Sequence, residues 1–535
     1  MKLILMFVAM CLAGNGTVAD TDTLVICPPD FRKALQPWIE YRQQQGYKIL
    51  VQESASSFNG VADQIQKQAS TSPLKNVVLI GDAVDQKTPR NRLVPTGFVA
   101  AKVNVKFGSE FEIATDHSYA DLNNDGIVDL NIGRIPVDTP EQLTAYVNRM
   151  IEYESSRNVG DWNRKVNFVA GVGGFGQLLD KMIEQSVKKI VTDLIPPAFD
   201  TTMTYGSWRS RYCPDPRRFA ETAISKFNEG CLFWIYVGHG DRNRLDRIKM
   251  PDRQYNILDN DTVHKIRAKQ GPPIAIFLSC YTAAIDDAQD GLGERMINQT
   301  EGPVAVISSS RVSMPYAMSI FSLEMLDKYF HGDVETLGEL VTSAKRGMVK
   351  FKSDKSKYHQ LVESMGTSFS PEPGLLDAER REHVHLMHLL GDPLLKLHRP
   401  EKLQLEAPKQ VDAGKSITVV GVADRAGTLN VDIAYNRDRF RYRTPRRRKY
   451  DPSDENLQQL QKVYEQTQDL VCVRQTVEVS KGRFKIDLTV PADCSGACHI
   501  RAQLSAQGYF ALGANKLFIR SSSHNTARAN DASSK

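Results

Sequence analysis

Two short apolar runs that each stop on a chemically reactive residue constrain this chain most. Cys231 to Val237, CLFWIYV, is apolar or aromatic throughout and lacks the alternation of a half-solvated strand. Such a run belongs inside a sheet covered on both faces. It ends at Gly238-His239-Gly240. The second run, Ile274 to Leu278, opens after Pro272-Pro273 and ends at Ser279-Cys280. Between them lie about thirty residues with a helix-like piece near 262–270, enough for a right-handed crossover between parallel neighbours. Parallel neighbours bring His239 and Cys280 to one carboxyl edge, where open α/β sheets bind their ligands.

Taken singly, each residue has a plain explanation: a loop histidine without chemistry, or a cysteine acting as a small buried hydrophobe. Side by side they make a nucleophile, because imidazole favours the thiolate and can later protonate a leaving amine. The flanking glycines let a substrate backbone come close.

The blocks YVGHG (Tyr236–Gly240) and LSCYTAAID (Leu278–Asp286) resemble the His-Gly and Cys blocks of the gingipain family of cysteine peptidases, in the caspase-like clan. Three further stretches are similar to the same family and in its order: VVLIGDAV at 77–84, YADLNNDGIVDLNIGRIPV at 119–137 and LLGDPLLKLH at 389–398. The resemblance covers residues 22–398. It implies Cys280 as nucleophile, His239 as acid toward the leaving amine, and the backbone N–H groups of Gly240 and Cys280 as holders of the oxyanion. It implies protein or peptide substrates and no metal for catalysis. The chain departs from the family at one place. Where many relatives carry an acid that orients the histidine, it has Val172-Gly173-Gly174. Asp180, at an expected helix start, is a candidate for the floor of a pocket binding the residue before the scissile bond, for the missing orienter, or for a plain helix cap.

The first residues carry Lys2, an apolar stretch from Leu3 to Ala13 and then Thr17-Val18-Ala19, the pattern of a secretory signal cut after Ala19. No later run reaches transmembrane length, so the expectation is a secreted protein, periplasmic or extracellular, without a transmembrane anchor. A chain of 535 residues exceeds one ordinary core. Alternating strands and helices from TLVICP through NVVLIGD predict a parallel sheet with helices on both faces in an N-terminal α/β subdomain, 20–157. Asp138 is the expected N-cap of a helix entered through Pro140, and Pro37 marks a turn boundary in the first helix. A second, catalytic α/β subdomain follows at 158–399, and the resemblance makes the two a caspase-like unit. Beyond Arg399-Pro400 short alternating segments predict an all-β sandwich, 400–520, which the resemblance identifies as immunoglobulin-like. An arginine-rich and then helix-like insertion at 436–470 is expected to be a solvated loop, with an anionic-surface patch or a processing site as its functional alternatives. The tail, 521–535, is expected to be disordered.

A net charge of +5 over this length is too weak to suggest nucleic acid. Nothing in the sequence fixes the oligomeric state. In an oxidising compartment Cys472 is expected to pair with Cys494 or Cys498; the sequence does not choose between them. In DLNNDGIVD, Asp121, Asn123, Asp125 and Asp129 occupy positions 1, 3, 5 and 9 of a calcium loop, with Gly126 at the turn and the Ile127 carbonyl at position 7. Position 12 is Ile132 rather than glutamate. The loop is therefore either a structural calcium site that borrows a ligand or a metal-free Asx turn. The whole points to a cysteine endopeptidase. A catalytically silent binding or adhesion protein and a cysteine transpeptidase are the alternatives.

Overall fold

The structure, a computed structural model, describes residues 20–84, 88–155, 159–172, 188–189, 191–442, 444 and 447–521. The expected signal segment and all but the first residue of the expected tail lie outside them.

Ten strands form one sheet. In chain order they are β1 (Thr23–Ile26), β2 (Ile49–Gln52), β3 (Asn76–Ile80), β4 (Asn131–Ile135), β5 (Lys165–Ala170), β6 (Asp200–Tyr205), β7 (Phe233–Val237), β8 (Ile274–Leu278), β9 (Ala305–Ser309) and β10 (Met387–Leu390). Their spatial order is β2-β1-β3-β4-β10-β9-β8-β7-β5-β6. β10 is antiparallel to β9 and parallel to β4, and the other neighbours are parallel. The strands of the first half therefore run opposite to β5–β9. The continuous apolar runs are buried as expected: β3, β8 and β9 completely, and β7 as far as Tyr236.

The seam between the halves is narrow in hydrogen bonds and dense in charge. β10 meets β4 at Leu390 and Arg134, where Gly391 N–H donates to the Arg134 carbonyl at 2.6 Å. Just past β10, the buried Asp392 carboxylate accepts from Trp38 Nε1 (2.5 Å) and Arg42 Nη2 (2.6 Å) of the helix Arg32–Gln44. Pro37 lies inside that helix instead of at its boundary; the helix loses one N–H bond there and continues.

Two other local expectations are corrected. Thr139, not Asp138, caps the helix Pro140–Glu154, because Gln142 sits three residues on and completes a capping box. The crossover from β7 to β8 holds two small hairpins, 240–245 and 247–256, and a single 3-10 turn at Val263–Lys265 in place of a helix. Ile266 already takes an extended conformation, so the turn is not continued into a helix.

From residue 401 a six-stranded and a three-stranded sheet enclose a second apolar core that includes Val419, Ile433, Ile486 and Ile500. The insertion leaves this sandwich between the strands Gly427–Tyr435 and Val471–Val479 and carries the helix Asp454–Gln468. It is not simply a solvated loop: Arg437 gives its guanidinium to the carbonyls of Pro196 (2.7 Å) and Phe199 (2.6 Å), and Arg447 to those of Ser210 and Cys213. Among the described residues no helix is long and apolar enough to cross a membrane.

Candidate active site

The register of β7 on β8 pairs Val237 with Leu278, and Gly238 N–H donates to the Leu278 carbonyl at 3.2 Å. Gly238-His239 and Ser279-Cys280 therefore leave the sheet side by side. The glycines are dictated by that proximity. A Cβ on Gly240 would stand 2.7 Å from the Cys280 carbonyl oxygen and 2.8 Å from Ser279 Oγ, and one on Gly238 would stand 2.7 Å from Tyr236 Oη. Gly240 thus lies directly on the Cys280 backbone. The His239 carbonyl is tied twice, by Tyr236 Oη at 2.8 Å and Asp246 N–H at 3.0 Å. The imidazole is exposed and the Cys280 thiol half-buried, so both are open to a substrate from the same edge.

Cys280 is held from a third strand end. Ser313, in the loop after β9, donates its backbone N–H to Cys280 Sγ at 3.4 Å, and its carbonyl lies 3.8 Å from the same sulfur. Ser309 Oγ donates to the Ser279 carbonyl at 2.5 Å, and Tyr281 N–H to the Arg311 carbonyl at 3.2 Å. These contacts hold Tyr281 at φ +59°, a left-handed conformation that is costly for an aromatic residue and that turns the chain sharply after the nucleophile.

The first half of the chain reaches over this turn. Glu110, from the hairpin formed by Gly97–Ala100 and Glu112–Thr115, accepts from Tyr281 Oη at 2.8 Å and pairs with Arg242. Arg242 lies over the Tyr281 ring at 4.5 Å, and Arg311 forks onto Asp286 at 2.8 and 2.6 Å. Burial alone would push the Glu110 carboxyl up; its own backbone N–H, Arg242 and Tyr281 outweigh burial and hold it below the usual range. Ser313, Tyr281 and Glu110 were not singled out from the sequence. The one available signal was that SSSRVS follows a buried run and so ends at the same carboxyl edge.

A cavity of about 400 Å³ opens beside Cys280 and His239. Val172 is described, but Gly173, Gly174 and Asp180, with its three expected roles, lie outside the described residues.

The calcium-like loop is closed on itself. Asp121 accepts from the N–H groups of Asp125 (3.1 Å) and Gly126 (2.8 Å), Asn123 from Asp125 (3.0 Å), Asp125 from Ile127 (2.8 Å), and Asp129 from Leu122 (2.9 Å). Gly126 takes φ +81°, as the turn requires. Burial, followed by the charges of Asp125 and Asp129, raises the Asp121 carboxyl above its usual range. Ile132 is in β4, paired with Val77, and supplies no ligand.

Acidic oxygens converge elsewhere. Asp82, Asp138 and Asp290 bring carboxylate oxygens within 4.8 Å of one another. Glu294 lies beside Asp82 and is fully buried with it. Burial pushes Asp82 up to about 7 and Glu294 well above the carboxylate range. Hard oxygens at this spacing could hold a divalent cation. Asp138, expected as a helix cap, belongs to this cluster. The cysteines of the described residues are free thiols, and Cys472 lies against both of its expected partners, Cys494 and Cys498.

The chain is 23% identical over 300 residues to Lys-gingipain of Porphyromonas gingivalis, covering 54% of this chain and 15% of that protein. It is 21% identical over 412 residues to gingipain R2 of the same organism, covering 73% and 48%. It thus spans less than half the length of either relative. The crystal structure of the Arg-specific cysteine proteinase gingipain R superposes with a TM-score of 0.54 at 15% identity, over 94% of this chain and 99% of that one, a likeness of fold. A model of peptidase family C25 matches residues 17–398, which include both strand ends and the seam at Asp392, and the chain belongs to that family.

Proposed function

We propose that the chain is a secreted cysteine endopeptidase acting through Cys280 and His239. The observation that carries this reading is the Val237–Leu278 register, which sets the two residues side by side at an open sheet edge. Cys280 sulfur attacks the scissile carbonyl carbon, forming a C–S bond while the carbonyl electrons move to oxygen. The N–H groups of Gly240 and Cys280 hold that oxyanion. The oxyanion collapses, the C–N bond breaks, and His239 delivers the proton to the departing amine. Water then attacks the thioester with its proton passing to His239, the acid is released and the thiolate returns. Ser313 N–H, 3.4 Å from the sulfur, orients it at the strand end.

Secretion rests on the charged start, apolar stretch and small residues of positions 2–19. Calcium is proposed as a structural ion with no step of its own. Its seat is either the loop at Asp121, Asn123, Asp125, Ile127 and Asp129, whose side chains would exchange backbone N–H for the ion, or the cluster at Asp82, Asp138, Asp290 and Glu294.

The test is turnover of a peptide panel followed by product masses. Hydrolysis adds one water across the cleaved bond and is lost in Cys280→Ala. Joined peptides would instead favour a transpeptidase, and a protein that leaves every peptide intact would be a silent binder.

A further inference from the structure

We infer that Cys472 and Cys494 form a disulfide that fastens the foot of the β-domain insertion, and that Cys498 stays a thiol. The inference does not depend on the peptidase reading.

Cys472 lies against both other cysteines, and all three are buried at the end of the sandwich where the insertion leaves and returns. Contact between sulfurs does not choose a pair; backbone spacing does. Cys472 is on Val471–Val479, at a bulge opposite Ile433 and Ala434, and this strand runs along one side of Gly427–Tyr435. Cys498 is on Gly496–Ala506, opposite Tyr435, and that strand runs along the other side. Two strand spacings therefore separate the Cα atoms of Cys472 and Cys498, about 9.5 Å in all. A disulfide spans no more than about 7 Å between Cα atoms. Closing that gap would break the ladder, because Cys498 is also paired with Leu517 on its far side. Cys494 is held differently. It sits in the turn that precedes this strand, outside the ladder, with its N–H donating to the Pro491 carbonyl at 3.2 Å. A turn can move to close the bond where a central strand cannot.

The position gives the bridge a task. At the entry to the insertion, Asn436 N–H donates to the Ala497 carbonyl at 3.3 Å and Ser495 N–H to Tyr435 Oη at 3.1 Å. At its exit, the Leu470 carbonyl accepts from Tyr435 N–H at 2.9 Å and the Val471 carbonyl from Arg441 at 2.7 Å. These ties are hydrogen bonds, and a bond from Cys472 to Cys494 makes the joint covalent. Beyond the foot, the insertion reaches Met203 on β6, the last strand of the catalytic sheet. Gln468 Nε2 donates to the Met203 carbonyl at 2.8 Å, Met203 N–H donates to Gln468 Oε1 at 3.2 Å, and the Tyr464 and Thr204 hydroxyls bond beside them at 2.9 Å. An edge strand otherwise offers such groups to other chains. The bridge thus holds the segment that covers the edge.

The oxidant is an external disulfide such as oxidised glutathione. Cys472 thiolate attacks one of its sulfurs, forming a mixed disulfide and releasing the first glutathione thiol. Cys494 thiolate then attacks the Cys472 sulfur and releases the second, so two protons and two electrons leave the protein. Burial pushes the Cys494 thiol up to about 12, and contact with Cys498 followed by burial raises Cys472 further. The exchange therefore belongs to folding, before the site closes.

The experiment refolds the full chain carrying Cys280→Ala, which lacks the half-buried thiol, in reduced and oxidised glutathione. The product is denatured, alkylated without reduction and mapped by mass spectrometry. A peptide pair joined through Cys472 and Cys494, with alkylated Cys498, is expected. Cys498→Ser should keep the bridge, and Cys494→Ser should leave Cys472 alkylated. A Cys472–Cys498 link, or three alkylated cysteines, would overturn the inference. Fastening is read from tryptic nicking between Arg439 and Lys449. It should rise about tenfold on reduction and in Cys494→Ser, and stay at the parent rate in Cys498→Ser. Nicking that ignores reduction, or that rises equally in both serine variants, would overturn the bridge's role at the foot.

Discussion

Ser313 directs its backbone N–H at Cys280 Sγ across 3.4 Å, tying the nucleophile to the loop that follows a third strand of the sheet. A hydrogen bond is worth about 0.5–1.5 kcal/mol, so its removal should be visible. Ser313→Pro, which deletes the N–H, should slow alkylation of Cys280 by iodoacetamide at pH 7 about tenfold. Ser313→Ala, which keeps the N–H and loses only a hydroxyl 3.9 Å from sulfur, should alkylate like the parent. Equal slowing in both variants would place the effect in packing instead of in the N–H.

The acidic cluster makes stability depend on pH in a defined direction. Burial raises Asp82 to about 7 and Glu294 well above the usual range. Between about pH 4 and 7 the folded state therefore holds protons that the unfolded chain has released, and stability falls as pH rises. In chelator, Tm should decline across that interval. Calcium should offset the decline, by about 2.7 kcal/mol when the ion stands at a hundred times its Kd. If the ion sits in the cluster, Asp290→Asn abolishes the gain and Asp125→Asn preserves it; the reverse places the ion in the loop. A Tm indifferent to chelator at pH 7.5 would remove calcium from the account.

Asp392 closes the seam between the halves of the sheet. Its carboxylate and the Arg42 guanidinium are both fully buried, and removing one member of such a pair typically costs about 3–5 kcal/mol. Asp392→Ala should lower the denaturant midpoint accordingly. Arg42 keeps a second bond, to Glu154 at 2.8 Å, so the loss should fall toward the lower end of that range.

What the sequence disclosed and what it withheld divide along one physical line. β7, β8 and β9 were legible because each is a buried run whose composition is fixed by covering helices on both sides, and because the residue ending a run inherits the run's position. That placed His239 and Cys280. β10 has four residues and touches β4 at a single pair, so the joining of two half-sheets left no pattern in MHLL. Arg437 and Gln468 read as solvated polar residues because their partners are backbone carbonyls and N–H groups at Pro196, Phe199 and Met203, more than two hundred positions away. Asp138 looked like a cap because Asp often is one; Thr139 won through the reciprocal bond with Gln142. Asp121 to Asp129 has the spacing of a calcium loop, and the same spacing lets each side chain accept from the N–H groups of its own turn.

The central claim is tested most directly by cleavage of a fluorogenic peptide library with three proteins: the parent chain, Cys280→Ala and His239→Ala. The account predicts peptide hydrolysis by the parent, none by Cys280→Ala, and nearly as large a loss in His239→Ala, since groups that act as a unit do not contribute additively. All three should share one unfolding temperature to within a few degrees. Peptide cleavage that persists in Cys280→Ala would contradict it.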